Sequence, residues 1–210
     1  MPDFEDWSGR TFELVNLSDT VWKEADLVNA RFSGRIDGLV INGVEVAPLI
    51  AAEMDRRFPV RTKLRPKDST EARSSWDVIE ELWAASKARA ASVDEALLHA
   101  RPEEDEFSWS EGFRHLVFVT DAWVGNGALQ RDEWHPLGVP PSFAPWPPGS
   151  DPAATPTWDE VVAAREDRMA LVSEHLETLP IHVVRVVLDE EWAHDFYANR
   201  DLDQLSSPLR

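Results

Sequence analysis

The chain has 210 residues, a formal charge of −18 from 39 acidic and 21 basic side chains, and 43% apolar residues including ten tryptophans, which suits one main globular domain rather than a disordered chain. With so few cations to neutralise a phosphate backbone, nucleic acids and anionic membranes are not expected partners. The absence of cysteine removes disulfides, thiolate metal sites and a cysteine nucleophile, and with no basic, apolar leader and no run of roughly 20 apolar residues the expected location is cytoplasmic.

Trp7, Phe12, Leu17, Trp22, Leu27 and Phe32 recur every five positions, which is neither a helical nor a strand period. The segments Val15-Asn16-Leu17, Ala25-Asp26-Leu27 and Ala30-Arg31-Phe32 resemble the pentapeptide repeat, in which the central residue points into a square-sectioned right-handed β-helix. The resemblance implies a few short coils over residues 1–43, fewer than the three or more stacked turns such repeats usually need to stand alone. The alternative is a meandering arm whose spacing is accidental. Asn42-Gly43 signals a turn. Residues 44–67 then read as a short helix over Val46 to Phe58, with Val46, Leu49, Ile50 and Met54 inward, and a basic linker from Arg56 to Lys67.

The third stretch, residues 68–210, carries the long helical patterns. Asp68 and Glu71 form a capping-box signature opening a helix whose face is Trp76, Ile79, Trp83 and Ala90. Ser108 and Glu111 repeat it before the stripe Trp109, Phe113, Leu116, Thr120 and Trp123, which ends near Gly125-Asn126-Gly127. Eight of the fifteen prolines lie between Gln130 and Pro156, so that stretch is an extended crossover or a lid. Thr157 and Glu160 open a third helix with Val162, Arg165, Met169, Val172, Leu176 and Leu179 inward, and a fourth runs from about Ile181 to Leu205. Thr178-Leu179-Pro180 leaves almost no loop between these two, which requires an abrupt turn or marks missing residues. A long crossover lets the second and third helices run parallel, so the expected fold is mainly α, a four-helix bundle in up-down-down-up order, with the short β-helix-like segment in front.

On the last helix Val183, Val187, Glu190, His194 and Tyr197 share a face at spacings of three and four. Burying an ionised glutamate there calls for a cationic partner, which an arginine, a lysine, a protonated histidine or a metal supplies. Glu190 and His194 lie one turn apart, a mixed nitrogen and oxygen pair that divalent first-row metals accept. His115, near the core side of the second helix, is the best third ligand.

The run Phe107-Ser108-Trp109-Ser110-Glu111-Gly112-Phe113-Arg114-His115-Leu116, with Glu190-Glu191-Trp192-Ala193-His194 75 positions on, resembles the DinB-like superfamily. The resemblance covers roughly Asp68 to Leu205. It implies a four-helix bundle in the same up-down-down-up order, with one metal-binding histidine on the second helix and an H-x-x-x-H pair on the fourth. His115 and His194 match; Glu190 stands where the first histidine of the pair is expected. The implied ligand set is His115, Glu190 and His194 around a divalent ion, zinc or nickel. The implied activity is that of transferases or isomerases that use a low-molecular-weight thiol of the mycothiol type on a small-molecule substrate, the ion lowering the thiol's pKa. The competing reading is a non-catalytic, metal-stabilised binding or scaffold protein. Pairing of copies into a homodimer through apolar helix faces is also expected.

Other polar residues are weaker candidates. Glu191 and His194 spell the E-x-x-H of a di-iron bundle, but no second such motif exists to complete that site. His99, His135, His175 and His182 read as structural or exposed, with His135 able to hang over the site if the crossover folds back. Asp121 and Arg200 are positions that could orient ligands or hold an anion, or simply pair at the surface. Phosphate loops, nucleophile elbows and H-E-x-x-H are absent.

Overall fold

The computed structural model describes residues 5–103 and 106–206. The first four residues, Glu104, Asp105 and residues 207–210 lie outside it, and with them parts of the expected 1–43 and 68–210 units. Described elements are strands β1 (Val40–Ile41) and β2 (Val44–Glu45), and helices α1 (Ala47–Arg57), α2 (Ser69–Ala90), α3 (Glu95–His99), α4 (Trp109–Thr120), α5 (Trp158–His175) and α6 (Ile181–Ser206). A 3-10 turn over Pro59–Lys63 follows α1, and a π-helical turn over Asp121–Ala128 continues α4. The molecule is mainly helical. No helix among the described residues is long and apolar enough to cross a membrane.

Residues 5–39 contain neither helix nor strand, yet their backbone is regular. Gly9, Leu14, Asp19, Glu24, Asn29 and Gly34, five residues apart, all have positive φ. Asp6, Asn16 and Asp26 each accept a hydrogen bond from the amide two residues on, and turns close from Arg10 to Trp7, Thr20 to Leu17 and Ala30 to Leu27. Gly9, Gly34, Asp19 and Asn29 are residue types that tolerate the left-handed region, whereas Leu14 and Glu24 occupy it without that advantage. β1 and β2 then pair antiparallel across Asn42-Gly43, both at positive φ as a tight hairpin turn demands.

α1 forms as expected but does not face inward: none of its residues is buried, and Leu49 and Ile50 point to solvent. Its anchoring comes later in the chain, where Phe58 packs edge-on against Phe196 and near Trp192 of α6 and the Arg61 guanidinium lies 4.8 Å from the Trp192 ring centre. The basic linker is held by carboxylates, with Arg56 and Arg57 on Glu53 and with Arg61 and Arg65 on Asp55.

The three helix starts read from capping residues are present. Ser108 and Thr157 form reciprocal capping boxes with Glu111 and Glu160. Asp68 caps the amides of Thr70 and Glu71, while Glu71 reaches back to the amide of Lys67 instead of Asp68. α4 packs against both α5 and α6, and α2 packs against α6. Trp76, Phe113, Leu116, Val172, Val187 and Leu188 sit in the shared core.

Two inward stripes differ from the sequence expectation. Trp123 is 43% exposed and Val124 is fully buried, because the π-helical turn adds a residue per turn and rotates the following side chains out of α-helical phase. Asn126 donates to the Asp121 carbonyl, and a Cβ on Gly127 would stand 3.0 Å from the Ala122 carbonyl oxygen, so glycine fits the tight turn. In α5 Val161, not Val162, is buried. α5 ends at His175, earlier than its apolar pattern, leaving five residues before α6. This abrupt turn closes through amides of Thr178 and Leu179 on the His175 carbonyl, with Leu179 buried beneath it.

Arg165 of α5 is wholly buried and donates to Glu191 of α6, itself 5% exposed. Its Nε and Nη1 have no partner among the described residues. Removing one member leaves the other charge buried and uncompensated. Arg165→Met should therefore lower unfolding stability by about 3–5 kcal/mol in urea titrations, and Arg165→Met with Glu191→Leu should recover most of that loss.

Candidate metal centre

α4 and α6 lie side by side, and their contact brings His115, Glu190 and His194 together: one potential ligand atom from each falls within 4.8 Å of the others. The two imidazole centres are 4.8 Å apart, and His194 Nε2 lies 3.5 Å from Glu190 Oε2. Glu190 and His194 are one turn apart on α6, while His115 comes from mid-α4, where the helix is almost entirely buried. The arrangement is a two-nitrogen, one-oxygen donor set.

The proline-rich crossover supplies a component with no sequence signature. Val139 reaches back to α4, its amide donating to the Arg114 carbonyl and its own carbonyl accepting from His115 Nδ1 at 2.8 Å. That bond places the proton on Nδ1 and leaves the Nε2 lone pair free, the usual way an outer hydrogen bond orients a ligating imidazole. Arg114 fixes the crossover by donating from Nε to the Leu137 carbonyl and from Nη1 to that of Ala154. The walls are aromatic: Phe107 packs on both imidazoles, Phe118 stacks on His115, and Trp134 stacks on Phe118. Gly112 of α4 faces His194, and a Cβ there would stand 3.7 Å from His194 Nδ1, an ordinary contact distance.

Burial, and then the neighbouring His194, push the His115 imidazole down to about 4. Glu190 is held below the usual carboxylate range, first by its hydrogen bond with His194. Its side chain is 39% exposed and that of His194 is 18% exposed, against 7% for His115. The cluster is anchored on the α4 side and reached from solvent on the α6 side. A neutral histidine with a free lone pair and an ionised carboxylate is the protonation pattern that metal binding requires.

The remaining candidates are engaged elsewhere. Glu191 is spent on Arg165, which disposes of the E-x-x-H reading. His135 does not supply the crossover's contact with His115, since its Nδ1 accepts from the Leu137 amide and its own amide donates to Asp121. Asp121 is buried and also bound by Arg168 Nε at 2.5 Å, so it orients the crossover rather than a ligand. Arg200 pairs with Glu106 and Asp201. His99 lies near Glu95, His175 near Arg131 and Glu174, and His182 is exposed. Tyr197, expected on the site-bearing face, is exposed under the Arg200 guanidinium. A sequence reading misses Phe107, Phe118 and Val139 as site components; only the run of aromatic residues around His115 hints at the first two.

Compared with known families, the chain matches the model described as DinB superfamily over residues 79–198, a span that contains all three clustered residues. No curated protein and no solved structure matches it.

A histidine whose folded pKa lies below its unfolded value of 6.5 stays neutral in the fold while the unfolded chain takes up the proton. Its contribution to stability is intact above about pH 6.5 and is lost as pH falls from there toward 4, by roughly 3 kcal/mol at most. In chelator-treated protein the His115 ring should titrate near pH 4 by NMR, and His115→Gln should flatten the acid limb of the stability profile. A ring titrating near 6.5 would contradict the buried geometry.

Proposed function

The chain belongs to the DinB superfamily, and from that membership and the convergence of His115, Glu190 and His194 we propose that it is a divalent-metal protein acting as a thiol-dependent transferase or isomerase. The donor set fits a first-row ion such as zinc or nickel: two imidazoles and a carboxylate, one imidazole already oriented with its Nε2 lone pair free. When bound, such an ion supplies the Lewis acidity that lowers the pKa of a mycothiol-type thiol cofactor. Around it, Val139 holds the His115 tautomer, Glu190 brings one negative charge, and Phe107 and Phe118 limit water on the α4 side. The absence of cysteine from the chain leaves the thiol to come from a small molecule.

The observation that carries an enzymatic reading over a scaffold one is the asymmetry of the cluster. Structural metal sites are closed by four protein ligands, whereas catalytic ones keep a position open. Here three protein donors converge, and the two on α6 remain accessible.

In the same reading α2, α4, α5 and α6 form the up-down-down-up bundle of residues 68–210, the 44–67 stretch is a short helix and linker, and residues 1–43 are pentapeptide-type coils. The recurrence of positive φ every five residues supports that last assignment. The acidic charge supports a small-molecule rather than nucleic-acid partner, and the proposed setting is the cytoplasm.

Elemental analysis should find one equivalent of zinc or nickel in the purified chain, lost in His115→Ala and weakened at least tenfold in Glu190→Gln. Thiol-dependent conjugation of a model electrophile should disappear in Glu190→Ala. Turnover unchanged in that variant would sink the metal mechanism, and stoichiometric metal without thiol-dependent turnover would favour the scaffold.

A further inference from the structure

The six side chains of the N-terminal stripe, Trp7, Phe12, Leu17, Trp22, Leu27 and Phe32, are between 44% and 60% exposed. Three of them gather, with the Trp7 ring 5.5 Å from Phe12 and 5.3 Å from Trp22. Every described residue from 5 to 35 is exposed, so nothing in the helical body covers the stripe. Large side chains of roughly 150–250 Å² left about half exposed present on the order of 600 Å² of apolar surface, the upper end of what a monomer tolerates. Two such faces together reach roughly 1,200 Å², the size at which specific association begins.

The backbone narrows the choice of occupant. Apart from turn and side-chain-capped amides, the peptide groups of residues 5–35 have no backbone partner among the described residues. They are set in short extended pieces turned at a left-handed corner every five residues. A helix cannot pair with such an edge, and an ordinary strand runs straight past the corners; a surface with the same five-residue corner spacing matches it. This chain itself provides that surface, and identical faces meeting across a two-fold axis form a closed interface.

We infer that residues 5–39 form the interface between two copies of this chain, the two coils stacking through the Trp7–Phe32 stripe. The surface is independent of the metal cluster and does not rest on the catalytic reading.

Sedimentation of the full-length protein should show a dimer at micromolar concentration. Trp22→Glu and Leu27→Glu should each raise its dissociation constant at least tenfold, with unchanged helical circular dichroism and metal content, because the helices begin only at Ala47. Trp123→Glu, on the exposed part of the helical body, should leave the dimer intact. A monomer at 100-micromolar concentration, to order of magnitude, would overturn the inference. So would a dimer that survives the coil variants but is lost in Trp123→Glu.

Discussion

The buried pair between Arg165 and Glu191 sets the rotation of α6, and the cluster follows from it. An α-helix places successive residues about 100° apart, so a helix whose Glu191 is drawn through the core to α5 has its neighbours fixed as well. With Glu191 committed to Arg165, Glu190 and His194 turn to the flank of α6 that meets α4, where His115 is waiting. The adjacent glutamates thus have opposite fates. One spends its charge on a guanidinium in the core; the other keeps its charge at the edge, where burial is partial and a histidine stands nearby.

The crossover completes what α4 and α6 begin. A backbone carbonyl is an acceptor wherever it is placed, and Arg114 and Asp121 place this one: the first ties Leu137 and Ala154, the second ties the His135 amide and Arg168. Both are buried polar side chains held by hydrogen bonds, although the buried Nη2 of Arg114 has no partner among the described residues. Their joint effect is to bring Val139 over His115, so that a stretch too rich in proline to form a helix still contributes a directed bond.

The sequence shows the helix starts plainly because capping is local chemistry: a serine or threonine and a glutamate three positions on suffice to define them. His115, Glu190 and His194 were legible for a similar reason, since i,i+4 spacing on one helix is a strictly local geometry, although the assignment of His115 needed the family resemblance. What escaped depends on distance. The outward turn of α1 could not be read from its period, because periodicity shows that a helix has an apolar side and not that anything lies against it. Trp123 turns outward because a π-helical turn breaks the 3.6-residue period that would place it inward. Val139 leaves no mark in the sequence because it meets His115 through its backbone carbonyl, which every residue carries.

Glu190 gives the cluster a character that a third histidine would not. Two imidazoles and an anionic carboxylate neutralise half the charge of a divalent ion, whereas three neutral imidazoles leave all of it, so the ion in this chain would be the weaker Lewis acid. The substitution also changes the metal-free protein. Two partly buried histidines beside His115 would repel one another once charged; here the Glu190 carboxylate bonds to His194 instead. Glu190 therefore holds the α6 side of the cluster together before any ion arrives, while Val139 does the same for the α4 side. The two halves are organised independently, and the ion would join them.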